Sequence, residues 1–165
     1  MRRRTMLSVL SALAAGTTLA ACGGDAPSDD SSSDEAPTAV PDSRKAPTVE
    51  VPEGEPPTEL KIEDEIVGGG AEAKKGSTLK VHYVGVAWST GDEFDSSWKR
   101  GEPLEFQVGA GMVIEGWDEG LQGMKVGGRR RITIPPEMAY GSQGAGGVIG
   151  PDETLIFVCD LVSVE

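Results

Sequence analysis

The chain has few of the side chains that enzymes commonly use for acid–base, nucleophilic or metal chemistry. Its 165 residues include one histidine, His82, and two cysteines, Cys22 and Cys159. A transition-metal centre needs several imidazole or thiolate ligands, so we predict no metal site. His82 has no serine or cysteine partner that the sequence identifies, and we predict a structural role for it. Cys159 alternates with apolar residues, which predicts a buried, inert thiol and no disulfide.

Basic and aromatic residues are also scarce. The chain contains 15 Lys and Arg residues and 27 Asp and Glu residues, so its formal net charge is −12. Aromatic residues make up 5% of the chain. A nucleic-acid-binding domain needs a basic face that neutralises phosphates, so we exclude a nucleic-acid partner. The length and the low aromatic content predict one small hydrophobic core. We expect the protein to be a monomer.

No phosphate-binding loop is present, although glycine is abundant. Gly68–Gly70 is not followed by Lys and Ser or Thr, as a nucleotide-binding loop requires. Gly109-Ala110-Gly111 is not followed by the long helix of a dinucleotide site. Both stretches are therefore predicted to be turns, and we predict no cofactor.

A hydrophobic run long enough to span a membrane is missing from the N-terminus. Residues 6–21 are mostly apolar and small, and a spanning helix needs about 20 strongly apolar residues. Three arginines, Arg2–Arg4, precede this run, which is typical of a signal peptide. Residues 3–7 are also similar to a twin-arginine signal, so the export route stays open.

The end of this run, Leu19-Ala20-Ala21-Cys22, resembles the lipobox of bacterial lipoproteins. In that family the signal is removed and the cysteine thiol carries a lipid. We therefore predict a signal peptide at residues 1–21, lipidation at Cys22 and an extracytoplasmic protein that is lipid-anchored to the bacterial membrane. The alternative is an ordinary secretory signal with an incidental cysteine.

Residues 22–59 have almost no large apolar side chains. From Gly23 onward this stretch contains seven prolines and ten acidic residues, against Arg44 and Lys45. Such a segment cannot bury enough apolar surface to fold by itself. We predict a disordered, acidic and proline-rich tether; a receptor-binding tail is the less favoured alternative.

Residues 60–165 show the alternation of a sheet and one short helical spacing. The predicted strands are 78–88, 104–108, 130–134 and 154–164, with a weaker one at 60–67. Ile114, Trp117, Leu121 and Met124 predict about two turns of helix. Arg129–Arg131 are predicted to be solvated arginines at the edge of a strand. The fold class is therefore α+β, an antiparallel sheet with one short helix packed across it.

Several motifs in residues 60–165 have the order and spacing of one known family. They are Val81-His82-Tyr83, Phe94-Asp95-Ser96-Ser97, Val113-Ile114-Glu115-Gly116-Trp117, Gly127 to Pro135, Ala139-Tyr140-Gly141 and Thr154-Leu155-Ile156-Phe157. This domain resembles the FKBP-type peptidyl-prolyl cis-trans isomerases. The resemblance implies a half-open antiparallel sheet wrapped around one short helix, which encloses an apolar cavity for a proline ring.

The resemblance also implies roles for individual residues. The residues expected to act in catalysis are Asp95, Ile114, Trp117 and Tyr140. The residues expected to contact substrate are Tyr83, Phe94, Val113, Val148, Ile149 and Phe157. Ile114 would donate its backbone N–H and Tyr140 its hydroxyl to substrate carbonyls, whereas Asp95 would orient Tyr83 and Arg100. Leu104 replaces an aromatic residue that many family members have, and Val148 and Ile149 are expected at the rim.

Rotation about an X–Pro bond fits a site without a nucleophile or a metal. The barrier of about 18–20 kcal/mol arises from amide resonance, and no covalent bond has to be made. We therefore predict an isomerase that helps exported, unfolded proteins to fold, with proline-containing peptides as substrates. Macrolides such as rapamycin are expected ligands. The alternative is a tethered binding or chaperone module that holds proline segments without catalysis.

Overall fold

The structure is a computed structural model that describes residues 44–165. The signal peptide, the lipidation site at Cys22 and the first part of the predicted tether lie outside the described residues. The described chain contains six strands: β1 Lys61–Ile66, β2 Thr78–Ala87, β3 Glu93–Ser96, β4 Leu104–Gln107, β5 Arg129–Ile134 and β6 Leu155–Val164. Two α-helices, α1 Ser97–Arg100 and α2 Glu115–Gly120, and two 3₁₀ turns, Pro136–Met138 and Gly141–Gln143, accompany them.

All six strands form one antiparallel sheet in the order β1-β5-β6-β2-β3, with β4 also paired to β2. The two ten-residue strands β2 and β6 form its centre and pair from Leu79–Val164 to Ala87–Leu155. The short strands β3 and β4 share the other edge of β2 and leave a gap between them. The predicted α+β class with an antiparallel sheet is confirmed.

One face of the sheet carries the main hydrophobic core. Successive residues of a strand point to opposite faces, so every second residue of β6 faces α2. Those residues are Leu155, Phe157, Cys159 and Leu161, and all four belong to the core cluster. Cys159 is fully buried, as predicted, and burial raises the pKa of its thiol far above the ordinary value.

Helix α2 lies so close to β5 that only glycine fits at two positions facing the strand. A Cβ atom on Gly116 would lie 2.4 Å from Ile134 Cγ2, and one on Gly120 would lie 2.9 Å from Ile132 Cδ1. The helix is shorter than the apolar spacing predicted, because it ends at Gly120. Leu121 and Met124 still reach the core, but from the turn that follows the helix.

The prediction of solvated arginines at a strand edge is wrong. Strand β5 lies between β1 and β6, and Arg130 is only 7% exposed. Its guanidinium donates to the carbonyls of Gly120 (2.8 Å) and Gln122 (3.0 Å) and to Asp64. The arginines predicted to be solvated therefore bind carbonyls at the end of α2 and acidic side chains on neighbouring strands.

Strand β3 and helix α1 were not predicted, because their sequence has no alternation. Pairing of β3 with β2 carries Ser97 to His82, and His82 Nδ1 lies 2.9 Å from Ser97 Oγ. The imidazole also stacks on Trp98, with 4.2 Å between ring centroids. His82 is therefore structural, as predicted, but its serine partner was missed because 15 residues separate the two.

Residues 44–60 precede β1 without forming a helix or a strand. Arg44 reaches the folded domain, since its guanidinium pairs with Asp160. In the part of the chain that the structure describes, no helix is long and apolar enough to cross a membrane.

Candidate active site

A cavity of about 200 Å³ opens between α2, strand β3 and the loop that follows β5. Its lining is mostly apolar and aromatic: Tyr83, Phe94, Asp95, Leu104, Met112, Val113, Ile114, Trp117, Tyr140 and Phe157. Asp95 is the only acid among these residues, and none of them is a histidine, cysteine, serine or lysine. A cavity of this size and lining suits a small apolar ring with a short stretch of peptide on either side.

The floor of the cavity is the indole of Trp117, which is 3% exposed. The ring of Tyr83 meets it edge to face at 4.9 Å and 85°, and the ring of Phe157 does so at 5.2 Å and 85°. Edge-to-face contacts align the positive edge of one ring with the negative face of another. The floor is therefore held from two sides by rings that also form the walls.

Gly85, on strand β2, allows the two phenylalanine walls to meet. A Cβ atom at this position would lie 2.7 Å from Phe94 Cζ and 2.8 Å from Phe157 Cε1. Without it, the rings of Phe94 and Phe157 pack edge to face at 5.5 Å. Because Gly85 has no side chain, the two phenylalanine rings can approach each other and form one continuous wall of the cavity.

Asp95 organises a group of hydrogen bonds at one side of the opening. Its carboxylate accepts hydrogen bonds from the Tyr83 hydroxyl and from Arg100 Nη1. Arg100 Nη2 also donates to the Tyr83 hydroxyl at 2.9 Å, and its guanidinium carbon lies 5.3 Å from the centre of that ring. These contacts match the orienting role expected for Asp95.

The tyrosine hydroxyls at the cavity stay protonated at neutral pH and can donate hydrogen bonds. Burial, reinforced by the hydrogen bond to Asp95, raises the pKa of Tyr83 to about 12. Burial and then the charge of Asp95 also raise the pKa of Tyr140 above its ordinary value. Tyr140 is 40% exposed at the opening, where a ligand can reach it.

Ile114 immediately precedes α2 as its N-cap residue, and its backbone N–H is available at the cavity. Its carbonyl accepts hydrogen bonds from the N–H groups of Trp117 and Asp118, as the first helical turn requires. Its own N–H donates to no backbone carbonyl among the described residues. A donor in this position can serve a ligand carbonyl.

The loop before Ile114 is fixed by Asp118, on helix α2. Its carboxylate accepts hydrogen bonds from the backbone N–H groups of Gly109 and Gly111, both at 2.7 Å. Both glycines have positive φ angles, 75° and 71°, which favour glycine. Asp118 therefore shapes the loop that carries Met112 and Val113 into the cavity wall.

Eight of the ten predicted site residues line the cavity, and two do not. Val148 is 67% exposed and Ile149 is buried in the core. The loop folds back on itself there, since Ala145 and Ile149 exchange backbone hydrogen bonds of 3.0 Å, and this turns Ile149 inward. The sequence missed Met112, an exposed residue in a glycine-rich loop without periodicity.

The described residues hold no group of three His, Cys, Asp or Glu side chains that could bind a metal ion. What the cavity offers instead is an apolar enclosure with hydrogen-bond donors at its opening. Such a site can desolvate a bound group and orient it, which is sufficient for a reaction that only rotates a bond.

Comparison with known proteins gives consistent matches. Residues 69–162, which include the whole cavity lining, match the family described as FKBP-type peptidyl-prolyl cis-trans isomerase. An FK506-binding protein of Streptomyces anulatus is 64% identical over 119 residues, which are 72% of this chain and 96% of that protein. An FK506-binding protein of Neisseria meningitidis serogroup A is 55% identical over 106 residues, 64% of this chain and 95% of that protein.

Two solved structures are also similar. AtFKBP13 superposes with a TM-score of 0.59 at 43% identity and covers 65% of this chain and 94% of its own. FkpA from Escherichia coli superposes with a TM-score of 0.60 at 42% identity, over 66% of this chain and 49% of its own.

Proposed function

This chain belongs to the FKBP-type peptidyl-prolyl cis-trans isomerases, and from that premise we propose that its cavity holds a substrate proline over Trp117 while the preceding peptide bond rotates. The family isomerises X–Pro bonds and binds proline-containing peptides and macrolides of the FK506 type. The resemblance recognised in the sequence is thereby confirmed at the level of family and reaction.

The observation that supports this placement is the aromatic floor and walls around a cavity of about 200 Å³. A planar amide is strongly polarised by resonance, and the twisted transition state is less so. An apolar enclosure weakens the solvation of the planar form and accommodates the twisted form. Each 1.36 kcal/mol of preference for the twisted form accelerates rotation about tenfold.

The donors at the opening orient the substrate in this proposal. The N–H of Ile114 and the hydroxyl of Tyr140 donate to carbonyls on the two sides of the proline. Neither group transfers a proton, and the raised pKa of Tyr140 keeps its hydroxyl protonated at neutral pH. Asp95 acts on the substrate indirectly, because its carboxylate holds the Tyr83 hydroxyl and Arg100 in place.

The placement is tested with backbone and indole N–H signals in two-dimensional ¹H–¹⁵N spectra. On adding a proline-containing peptide, we expect shifts of the Ile114 N–H and the Trp117 indole N–H. The indole N–H of Trp88, which does not line the cavity, should stay unchanged. The same peptide with alanine in place of proline is the control, and shifts confined to residues outside the cavity would refute the placement.

In the same proposal the protein is exported, anchored by a lipid on Cys22, and assists the folding of other exported proteins. The support is the sequence alone: Arg2–Arg4, the apolar run after them and Leu19-Ala20-Ala21-Cys22. Uncatalysed X–Pro isomerisation takes tens to hundreds of seconds, which makes it a slow step in the folding of such clients.

Anchoring is tested by the Cys22→Ala variant in membrane and soluble fractions of a bacterial host. The unchanged chain should be in the membrane fraction, and the variant should lose that association. A variant that stays with the membrane contradicts lipidation at Cys22. An unchanged chain that is released into the soluble fraction supports the alternative of an ordinary secretory signal.

A further inference from the structure

Part of the outer face of the sheet, opposite helix α2, is apolar and buried. Ile156 and Val158 of β6 are both 0% exposed, although they alternate with Phe157 and Cys159 and so point away from the main core. Val84 and Val86, their partners across β2, are buried as well. A sheet face exposed to water would not bury these four side chains, so another part of the chain must lie over them.

Hydrogen bonds from two arginine side chains to backbone carbonyls place residues 45–50 along this face. Arg130 points toward α2, so its neighbours Arg129 and Arg131 point to the outer face. Arg129 donates to the carbonyl of Lys45 at 3.1 Å, and Arg131 donates to the carbonyl of Glu50 at 2.8 Å. The segment between these two anchors therefore runs beside β5, in the same direction as the strand.

An ion pair fixes the beginning of the same segment. Arg44 Nη1 lies 3.2 Å from Asp160 Oδ1, and Arg44 Nη2 donates to the carbonyl of Gly127. The side chain of Asp160 is 7% exposed and is also paired with Arg129. The Arg44 side chain is 37% exposed, so Arg44 is the outer of two cations that share one shielded carboxylate.

The side chains of the segment alternate as an inner and an outer row. Pro47, Val49 and Val51 are partly buried, whereas Thr48 and Glu50 between them are exposed. At the far end Val51 borders the turn between β2 and β3, where its Cγ2 would lie 3.8 Å from a Cβ atom on Gly91. Residues 44–51 thus lie along the outer face from Asp160 to this turn.

The similarity to the Streptomyces anulatus protein extends into this segment. That match covers 119 residues of the chain, more than the 106 residues between Leu60 and Glu165. It must therefore reach residue 47 or an earlier position. The match therefore includes residues 47–59, which the composition assigned to the tether.

We propose that residues 44–51 form a strap that closes the outer face of the sheet as an integral part of the folded domain. The folded domain then includes residues 44–51, which precede the predicted boundary at residue 60. The ion pair of Arg44 with Asp160 holds one end of the strap against the sheet. Pro47, Val49 and Val51 cover the apolar residues of β2 and β6. This proposal is independent of the cavity and of its ligands.

The first test is trypsin cleavage after Lys45 in the chain from residue 23 to residue 165, followed by mass spectrometry. A held strap should be cleaved at least tenfold more slowly than a free peptide of residues 40–55. Cleavage at the same rate in both overturns the proposal, whatever the variants below show.

The second test is a matched pair of substitutions, Val49→Asp and Thr48→Asp, which add the same charge to the inner and the outer row. Val49→Asp should lower the urea midpoint of unfolding by about 1 M, because a carboxylate in the inner row removes the apolar contact that Val49 makes with the sheet. It should also restore fast cleavage after Lys45, whereas Thr48→Asp should change neither. Failure of only Val49→Asp to fold supports the strap, and equal behaviour of the two variants contradicts it.

Discussion

The rings of Trp117 and Phe157 meet edge to face, with 5.2 Å between their centroids and 85° between their planes. Trp117 comes from helix α2 and Phe157 from the central strand β6, so the contact joins the two layers of the fold at the base of the cavity. The shape of the floor therefore depends on the packing of the helix against the sheet.

Replacing Trp117 with leucine should lower kcat/KM for a proline-containing peptide about tenfold, which corresponds to about 1.4 kcal/mol. Leucine is apolar but too small to fill the floor, so the twisted amide would lose contacts that accelerate its rotation. Trp88→Leu, which changes a residue outside the cavity, is the matched control. Equal values of kcat/KM for Trp117→Leu and the unchanged chain would show that Trp117 does not contribute to catalysis.

The pKa of Tyr83 provides a direct prediction, because the chain has only two tyrosines. In the Tyr140→Phe variant, tyrosinate absorbance reports Tyr83 alone. With a pKa of about 12, only about a tenth of this phenol should be ionised at pH 11 in the folded state. The same variant in urea should be mostly ionised at that pH. A folded-state pKa near 10 would contradict the burial and hydrogen bonding described for Tyr83.

The same shift predicts a loss of stability at alkaline pH. A raised pKa favours the neutral phenol in the folded state, so its stabilising contribution is complete below the unfolded pKa of about 10. That contribution is lost as the pH rises from about 10 to about 12. Urea unfolding should therefore show a steeper decline across this range for the unchanged chain than for Tyr83→Phe. Identical slopes would contradict the prediction.

Asp118→Asn should raise KM and lower kcat/KM several-fold. Its carboxylate holds the N–H groups of Gly109 and Gly111, and a neutral amide accepts hydrogen bonds from them less strongly. The loop that carries Val113 would then be less well fixed. Glu119→Gln changes an exposed acid on the same helix and should leave both constants unchanged. If the two variants behave alike, the loop does not depend on Asp118.

Gly116→Ala should destabilise the domain by about 1–3 kcal/mol, because the added Cβ would overlap Ile134 on β5. Urea unfolding measures this change, and Glu119→Ala on the exposed side of the helix is the control. A Gly116→Ala variant as stable as the control would mean that α2 can move away from the sheet without cost.

Sequence patterns predicted the sheet well and the polar contacts poorly. The alternation of Leu155, Phe157 and Cys159 identified β6, because a strand with one face in the core has a strict period of two. Arg130 was misjudged, since its partners Gly120 and Gln122 are backbone carbonyls that no side-chain pattern reveals. The composition predicted a tether at residues 22–59 and gave no sign of the contact between Arg44 and Asp160.

Eight of the residues that the resemblance implied line the cavity. Five of them lie in strands or in helix α2, and the other three, Val113, Ile114 and Tyr140, lie in loops, where the resemblance and not periodicity identified them. Val148 and Ile149 lie in a long loop whose path depends on a local backbone bridge, which the sequence does not specify. Met112 was missed for a related reason, since its position depends on the Asp118 hydrogen bonds to the glycines beside it.

The central claim is that this cavity catalyses rotation of X–Pro bonds. It is tested most directly by the isomerisation rate of a proline-containing peptide, in a protease-coupled assay with the chain from residue 23 to residue 165. We predict a rate that rises in proportion to enzyme concentration and that FK506 or rapamycin suppresses by occupying the cavity. A rate equal to that of the uncatalysed peptide, with a folded protein confirmed by circular dichroism, would contradict the account.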